Sequence, residues 1–159
     1  KVYKIEELEP AINKAFEEDN QVLIEAALNG REVSVGVLKW KEEIKVLPIT
    51  EIISENDFFD YDAKYNGKSK EITPAKIPDS WTKAIVELSK KIYLKMDLEG
   101  VTRSEFIFED GIPHLLEVNT IPGMTLQSLI PQQLEADGIS LIDFLEELIK
   151  QALKKNEYL

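Results

Sequence analysis

Two alternating segments, joined by a tight turn and closed by a glycine break, constrain this chain more than any other feature. Leu115 to Asn119 alternates apolar and polar residues, which reads as a strand. A period of two puts Glu117 and Asn119 on one face, and Leu116 and Val118 on the other. Pro122-Gly123 then ends the strand. Upstream, Val101 to Phe108 places Arg103 and Glu105 on one face, with Ser104, Phe106 and Phe108 on the other. Glu109-Asp110-Gly111 is a hairpin turn signal. For Glu105 and Glu117 to face each other the loop must hold an odd number of residues, so a three-residue turn with Gly111 left-handed is expected. Phe106 and Phe108 would join Leu116 and Val118 beneath the sheet, leaving Arg103, Glu105, Glu117 and Asn119 above it. Any one of these charges alone is an ordinary solvated group. As a set they offer oxygens of the kind that hard cations such as Mg²⁺ share with phosphates.

The 159 residues suffice for one domain or a large piece of one, and 43% are apolar, enough for a real core. A net charge of −11 argues against partners bound by bulk positive charge, so neither nucleic acid nor an anionic membrane is expected. With no cysteine there is no disulfide framework and no thiolate metal site. No apolar run reaches the roughly 18 residues of a spanning helix, and no signal peptide is visible. A cytoplasmic protein fits these features. The first residue is Lys1 rather than Met, and Lys1-Val2-Tyr3 runs directly into a helical pattern, so the chain is expected to be a fragment.

A helix is expected over Glu6 to Asp19, with Leu8, Ile12 and Phe16 at four-residue steps. Gln21 to Glu25 reads as a buried strand, Ala26 to Gly30 as a turn and Glu32 to Trp40 as a strand. Ile44 to Ile53 reads as the next strand, with Pro48 marking an edge or a bulge. Ser54 to Pro78 lacks clear periodicity and reads as a long loop, functional or disordered. Asp79 to Met96 is an amphipathic helix capped by Asp79 or Ser80, with Ala84, Leu88, Ile92 and Met96 as its core stripe. Two more helices, Ser128 to Ala136 and Leu141 to Lys154, follow the hairpin, the second capped by Ser140. The fold class is α+β, a mainly antiparallel sheet with helices packed on it. His114 reads as structural or solvent-exposed, and Trp40 and Trp81 read as packing residues.

Glu117-Val118-Asn119-Thr120-Ile121-Pro122-Gly123-Met124-Thr125, with Ser128-Leu129 after it, closely resembles the C-terminal signature of D-alanine–D-alanine ligases of the ATP-grasp superfamily. The resemblance implies an ATP-grasp fold over 1–159, with a lid loop at about 54–78. It implies ATP-dependent joining of two D-alanines through a D-alanyl phosphate, for peptidoglycan precursors. Roles carry over to the residues that match. Arg103 would stabilise the tetrahedral intermediate, Gly123 would bring backbone close to the substrate, and Ser128 would hold the second D-alanine's carboxylate at a helix N-terminus. Glu105, Glu117 and Asn119 would hold two Mg²⁺ ions, for which Mn²⁺ can substitute. The family carries Asp where Glu105 stands, so metal geometry there is in question.

By spacing alone Gln21 to Glu32 is an ordinary strand–turn–strand. The family pattern Glu-x-x-Leu-x-Gly-x-Glu matches Glu25, Leu28, Gly30 and Glu32, which implies ATP contacts from Glu25, Ala26, Leu28 and Glu32. Asp60-Tyr61-Asp62-Ala63-Lys64-Tyr65 is similar to the family's lid. Lys64 would then touch the phosphates and Tyr65 would close over the substrate, although Lys64 could equally be a solvated loop lysine. On this resemblance an N-terminal substrate domain and a glycine-rich loop lie upstream, the parent protein is a homodimer, and the fragment alone is inactive. Another ATP-grasp carboxylate–amine ligase and a non-catalytic nucleotide-binding module are the alternatives.

Overall fold

The structure, a computed structural model, describes residues 1–54 and 69–156. A 3-10 turn at Ile5–Glu7 leads into α1 (Leu8–Phe16). The strands β1 (Arg31–Trp40), β2 (Glu43–Val46), β3 (Thr50–Ser54) and β4 (Ser69–Ile72) precede α2 (Asp79–Lys95). The hairpin β5 (Val101–Glu109) and β6 (Ile112–Asn119) follows, then α3 (Leu129–Ala136) and α4 (Leu141–Asn156). Among the described residues the strands form one sheet in the order β4-β3-β1-β5-β6, with β2 also on β1, and every pairing is antiparallel. This is the α+β arrangement expected from the sequence.

β1 is the central strand, buried on both faces from Val33 to Leu38. One face packs under α2, where Val33, Val35, Ile85, Phe106 and Phe108 form a core with Trp81 against it. Trp81 stacks on Phe108 at 4.2 Å between ring centres, so its reading as a packing residue holds. The other face is divided. Leu38, Leu47 and Val101 lie under Ile130, Leu134 and Phe144 from α3 and α4. The rest of that face holds the candidate site, with α1 standing across a cavity from it. Phe106 is fully buried between β1 and α2. Phe106→Ala is therefore expected to lower stability by about 3–5 kcal/mol, read from urea denaturation.

Several elements differ from expectation. Gln21–Glu25 is not a strand: Leu23 is 80% and Ile24 65% exposed, and no strand of the described residues pairs with this stretch. The expected strand over 44–53 is two strands, broken at Leu47-Pro48-Ile49, since proline has no N–H to offer the ladder. β4 lies inside the expected loop, a short edge strand whose Lys70 and Glu71 mask the strand pattern. Along α2, Leu88 and Ile92 pack against the core as expected, but the fully buried line runs through Ile85, Ser89 and Tyr93, and Met96 is exposed. Its N-cap is Pro78, without a side-chain cap bond from Asp79 or Ser80. The α1 stripe does not enter a core: Phe16 is exposed, and Leu8 and Ile12 line a cavity instead. Ser140 caps α4 as expected, its Oγ accepting from the Asp143 N–H at 3.0 Å.

Candidate functional site

The site is built on the β5–β6 hairpin. Its turn has two residues, Asp110 (φ 50°) and Gly111 (φ 80°), the left-handed pair that suits tight antiparallel hairpins. Glu109 therefore pairs with Ile112, Phe108 with Pro113 and Phe106 with Leu115. Continued without interruption, this register would set Leu116 opposite Glu105 and turn Glu117 to the far face. A bulge at Leu116 adds the missing residue, so Glu105 pairs with Glu117 and Arg103 with Asn119. The expected facing of the two carboxylates holds, but its cause is a bulge rather than a three-residue loop. Leu116 is consequently 44% exposed at the cavity edge instead of beneath the sheet.

Cross-strand register then places Gly36 and Ser34 of β1 beside Arg103 and Glu105. The Arg103 Nη2 donates to Glu105 Oε1 at 2.6 Å and lies 3.9 Å from Glu117 Oε1. Arg103 and Glu105 side chains are nearly buried, at 7% and 9% exposure, whereas Glu117 is 55% exposed toward solvent. Among the described residues Arg103 Nε is buried without a hydrogen-bond partner. A buried donor left unpaired is uncommon and marks this part of the face as a candidate site.

Beyond this face opens a cavity of about 1450 Å³, walled by α1, by the stretch from 22 to 30 and by the sheet. Glu25, Ala26, Leu28 and Glu32 line it, together with Glu105 and Glu117. The structure thus brings Glu25, Ala26, Leu28 and Glu32 onto one cavity with Glu105 and Glu117, without Arg103 or Asn119 in its lining; of the first pattern only Glu32 is on a strand. The 22–30 stretch is pinned at its end, where Asn29 N–H donates to Glu109 Oε1 at 2.8 Å. His114 is half-buried and lines the same cavity opposite Ile107, so it is less exposed than its sequence position suggests.

After β6, Ile121 N–H donates to Asn119 Oδ1 at 3.0 Å, turning the chain away from the sheet. Gly123 comes back against Ser128: a Cβ there would lie 2.9 Å from Ser128 Oγ. Ser128 precedes α3 without capping it; its hydroxyl pairs with Thr125 Oγ1 at 2.8 Å. Gly123 and Ser128 thus form one small loop, separate from the cavity lining. Lys64 and Tyr65 lie outside the described residues.

A family model described as D-ala D-ala ligase C-terminus matches residues 1–150. The chain belongs to this family. Among curated relatives of the D-ala D-ala ligase C-terminus family, a D-alanine–D-alanine ligase of Flavobacterium johnsoniae is 56% identical over 96% of this chain, which covers 47% of that protein. The chain spans about half the length of the curated relatives it matches. Among solved structures, the Bacillus anthracis D-alanine–D-alanine ligase complexed with ATP superposes with a TM-score of 0.82 at 29% identity, over 99% of this chain and 50% of that one. The VanG D-Ala:D-Ser ligase of Enterococcus faecalis gives 0.79 at 35% identity, over 94% of this chain and 44% of that one. These likenesses establish the ATP-grasp fold that the signature implied.

The chemistry of the donors suits a hard cation. Among the described residues no group of three or more His, Cys, Asp or Glu side chains clusters as a metal site. Glu105 and Glu117 with the Asn119 amide oxygen provide two carboxylates and one neutral oxygen. Such a sparse set suits Mg²⁺ that takes its other ligands from phosphates and water. No helix of the described residues is long and apolar enough to cross a membrane. Sequence reading passed over Gln133, which is fully buried above β1. Its polarity on an apolar helix face was the available signal.

Proposed function

We propose that this chain is the C-terminal part of a longer ATP-dependent D-alanine–D-alanine ligase. The observation that carries the reading is the bulged register that sets Glu117 opposite Glu105 beside Arg103, within the hairpin that ends in the ligase signature. In the proposed reaction ATP phosphorylates one D-alanine carboxylate, and the amine of the second displaces phosphate from the acyl phosphate. When bound, Mg²⁺ would place positive charge on the phosphate oxygens. Glu105, Glu117 and Asn119 are the residues that would hold it. Arg103, fixed by Glu105, would set its guanidinium charge beside negative charge developing at the reacting centre. Glu25, Ala26, Leu28 and Glu32 offer the adenosine an apolar wall with polar ends. The Gly123 backbone would approach the substrate, and Ser128 at the start of α3 would receive a carboxylate. Lys64 and Tyr65 complete the proposal as phosphate contact and substrate cover. A cytoplasmic homodimer serving cell-wall synthesis, with Mn²⁺ able to replace Mg²⁺, belongs to the same reading and is supported by family membership.

The test is phosphate release from ATP by the longer protein with D-alanine, D-serine or D-lactate supplied. Release that depends on D-alanine is expected, with none at a useful rate from the 159-residue chain alone. Release with D-serine or D-lactate but not D-alanine would replace the substrate assignment. In calorimetry, Glu117→Ala is expected to weaken Mg-ATP binding about tenfold or more.

A further inference from the structure

The break at Pro48 leaves a gap in the sheet. β2 pairs with β1 from Val37 to Trp40, and β3 pairs with it from Glu32 to Ser34. Val35 and Gly36 have no strand partner on that edge. One backbone bond crosses the gap, from Leu47 N–H to Gly36 O at 2.8 Å. Gly36 N–H and Ser34 C=O also face it, deep in the protein where unpaired polar groups are costly.

The Gln133 side chain closes the gap from α3. Its Oε1 accepts from Gly36 N–H at 2.9 Å, and its Nε2 donates to Ser34 O and to Thr50 Oγ1, each at 3.0 Å. The side-chain amide thus does what a neighbouring strand's peptide would do. The absence of a side chain at Gly36 makes room for it: a Cβ there would stand 2.8 Å from Gln133 Oε1 and 2.7 Å from Ile130 Cδ1. Thr50 Oγ1 continues the chain of bonds to Thr73 Oγ1 at 2.6 Å, tying α3, β1, β3 and the segment after β4 together.

The residues it fastens are those that support the site. Ser34 is the β1 partner of Glu105, and Gly36 is the partner of Arg103. Ser34 Oγ and Arg103 Nε are both buried and unpartnered, so this part of the face retains unused hydrogen-bonding capacity. We infer that Gln133 is a positioning residue: by holding Ser34 and Gly36 across the sheet break, it sets the Arg103–Glu105 pair at the height and angle the site needs. It does not touch the reacting groups. This role rests on the ligase reading for its effect on rate, but its effect on geometry does not.

The test uses the longer protein and compares Gln133→Leu, Gln133→Glu and Leu134→Ala, all on α3. Gln133→Glu keeps the acceptor for Gly36 N–H and loses the donor to Ser34 and Thr50. Leu134 is buried in the neighbouring core and takes no part in the Gln133 hydrogen bonds, so its truncation reports destabilisation with those bonds left in place. Below every variant's melting midpoint, Gln133→Leu is expected to lower kcat about tenfold with KM for ATP changed less than about twofold. Gln133→Glu should fall between it and the parent, and Leu134→Ala should keep kcat within about twofold of the parent at a similar loss of Tm. In nitrogen–proton spectra of the same proteins, the Arg103 Nε–Hε and Gly36 amide signals should move with Gln133→Leu and stay in place with Leu134→Ala. Unchanged kcat and unmoved signals in Gln133→Leu, or equal effects from Leu134→Ala, would overturn the inference. Should Gln133→Leu fail to fold, Gln133→Glu carries the same comparison. A parent protein without D-alanine-dependent phosphate release would refute the functional reading instead, and the spectra would still decide the role of Gln133.

Discussion

Arg103→Leu in the longer protein is expected to cut D-alanine-dependent phosphate release by about 10²–10³-fold, the usual cost of removing one donor to developing negative charge. The reason lies in the geometry. Arg103 is 6% exposed and bonded through Nη2 to Glu105, and its Nε has no hydrogen-bond partner among the described residues. The substitution also strands the Glu105 carboxylate in a buried position, which on its own costs about 3–5 kcal/mol of stability. Two controls separate these effects. Arg103→Lys keeps a positive charge beside Glu105 but loses the planar fork, so it should recover much of the stability and little of the rate. The double variant Arg103→Leu, Glu105→Leu removes both buried charges and should be more stable than Arg103→Leu alone, yet no more active. Thermal unfolding and phosphate release measured on one protein set decide it. Rates for Arg103→Leu within about tenfold of the parent would remove Arg103 from the chemistry.

Gly30→Ala is the second large effect. A Cβ at Gly30 would fall 1.9 Å from the Phe108 carbonyl oxygen and 2.6 Å from its carbon. Phe108 is a buried residue of β5, so its backbone has little room to retreat, and the 22–30 stretch must detach instead. Displacement there would break the bond from Asn29 N–H to Glu109 and carry Glu25, Ala26 and Leu28 away from the cavity. The expected result is a stability loss of about 1–3 kcal/mol with a larger, separate loss of ATP affinity. Calorimetric titration with Mg-ATP alongside urea denaturation checks it. Unchanged ATP affinity would mean that this stretch does not wall the nucleotide.

Much of the site was legible before any coordinates. Alternation around Arg103, Glu105, Glu117 and Asn119 is a local property, and each strand's faces follow from it. The Glu117–Thr125 signature supplied the family. The strand at Gln21–Glu25 misled because a short apolar run carries the same pattern whether or not a partner strand adjoins it. β4 escaped notice because four residues with two charges have no period to read.

What the sequence determined by itself is therefore which residues share a face within each strand, where the helices lie, and the ligase family that the Glu117–Thr125 signature names. What the tertiary structure alone decided is how those faces meet. The bulge at Leu116, the split at Pro48 and the plugging of that split by Gln133 each depend on which backbone groups of another element are already paired. Hydrogen-bond satisfaction across a sheet is a property of neighbours distant in sequence, and no local pattern encodes it.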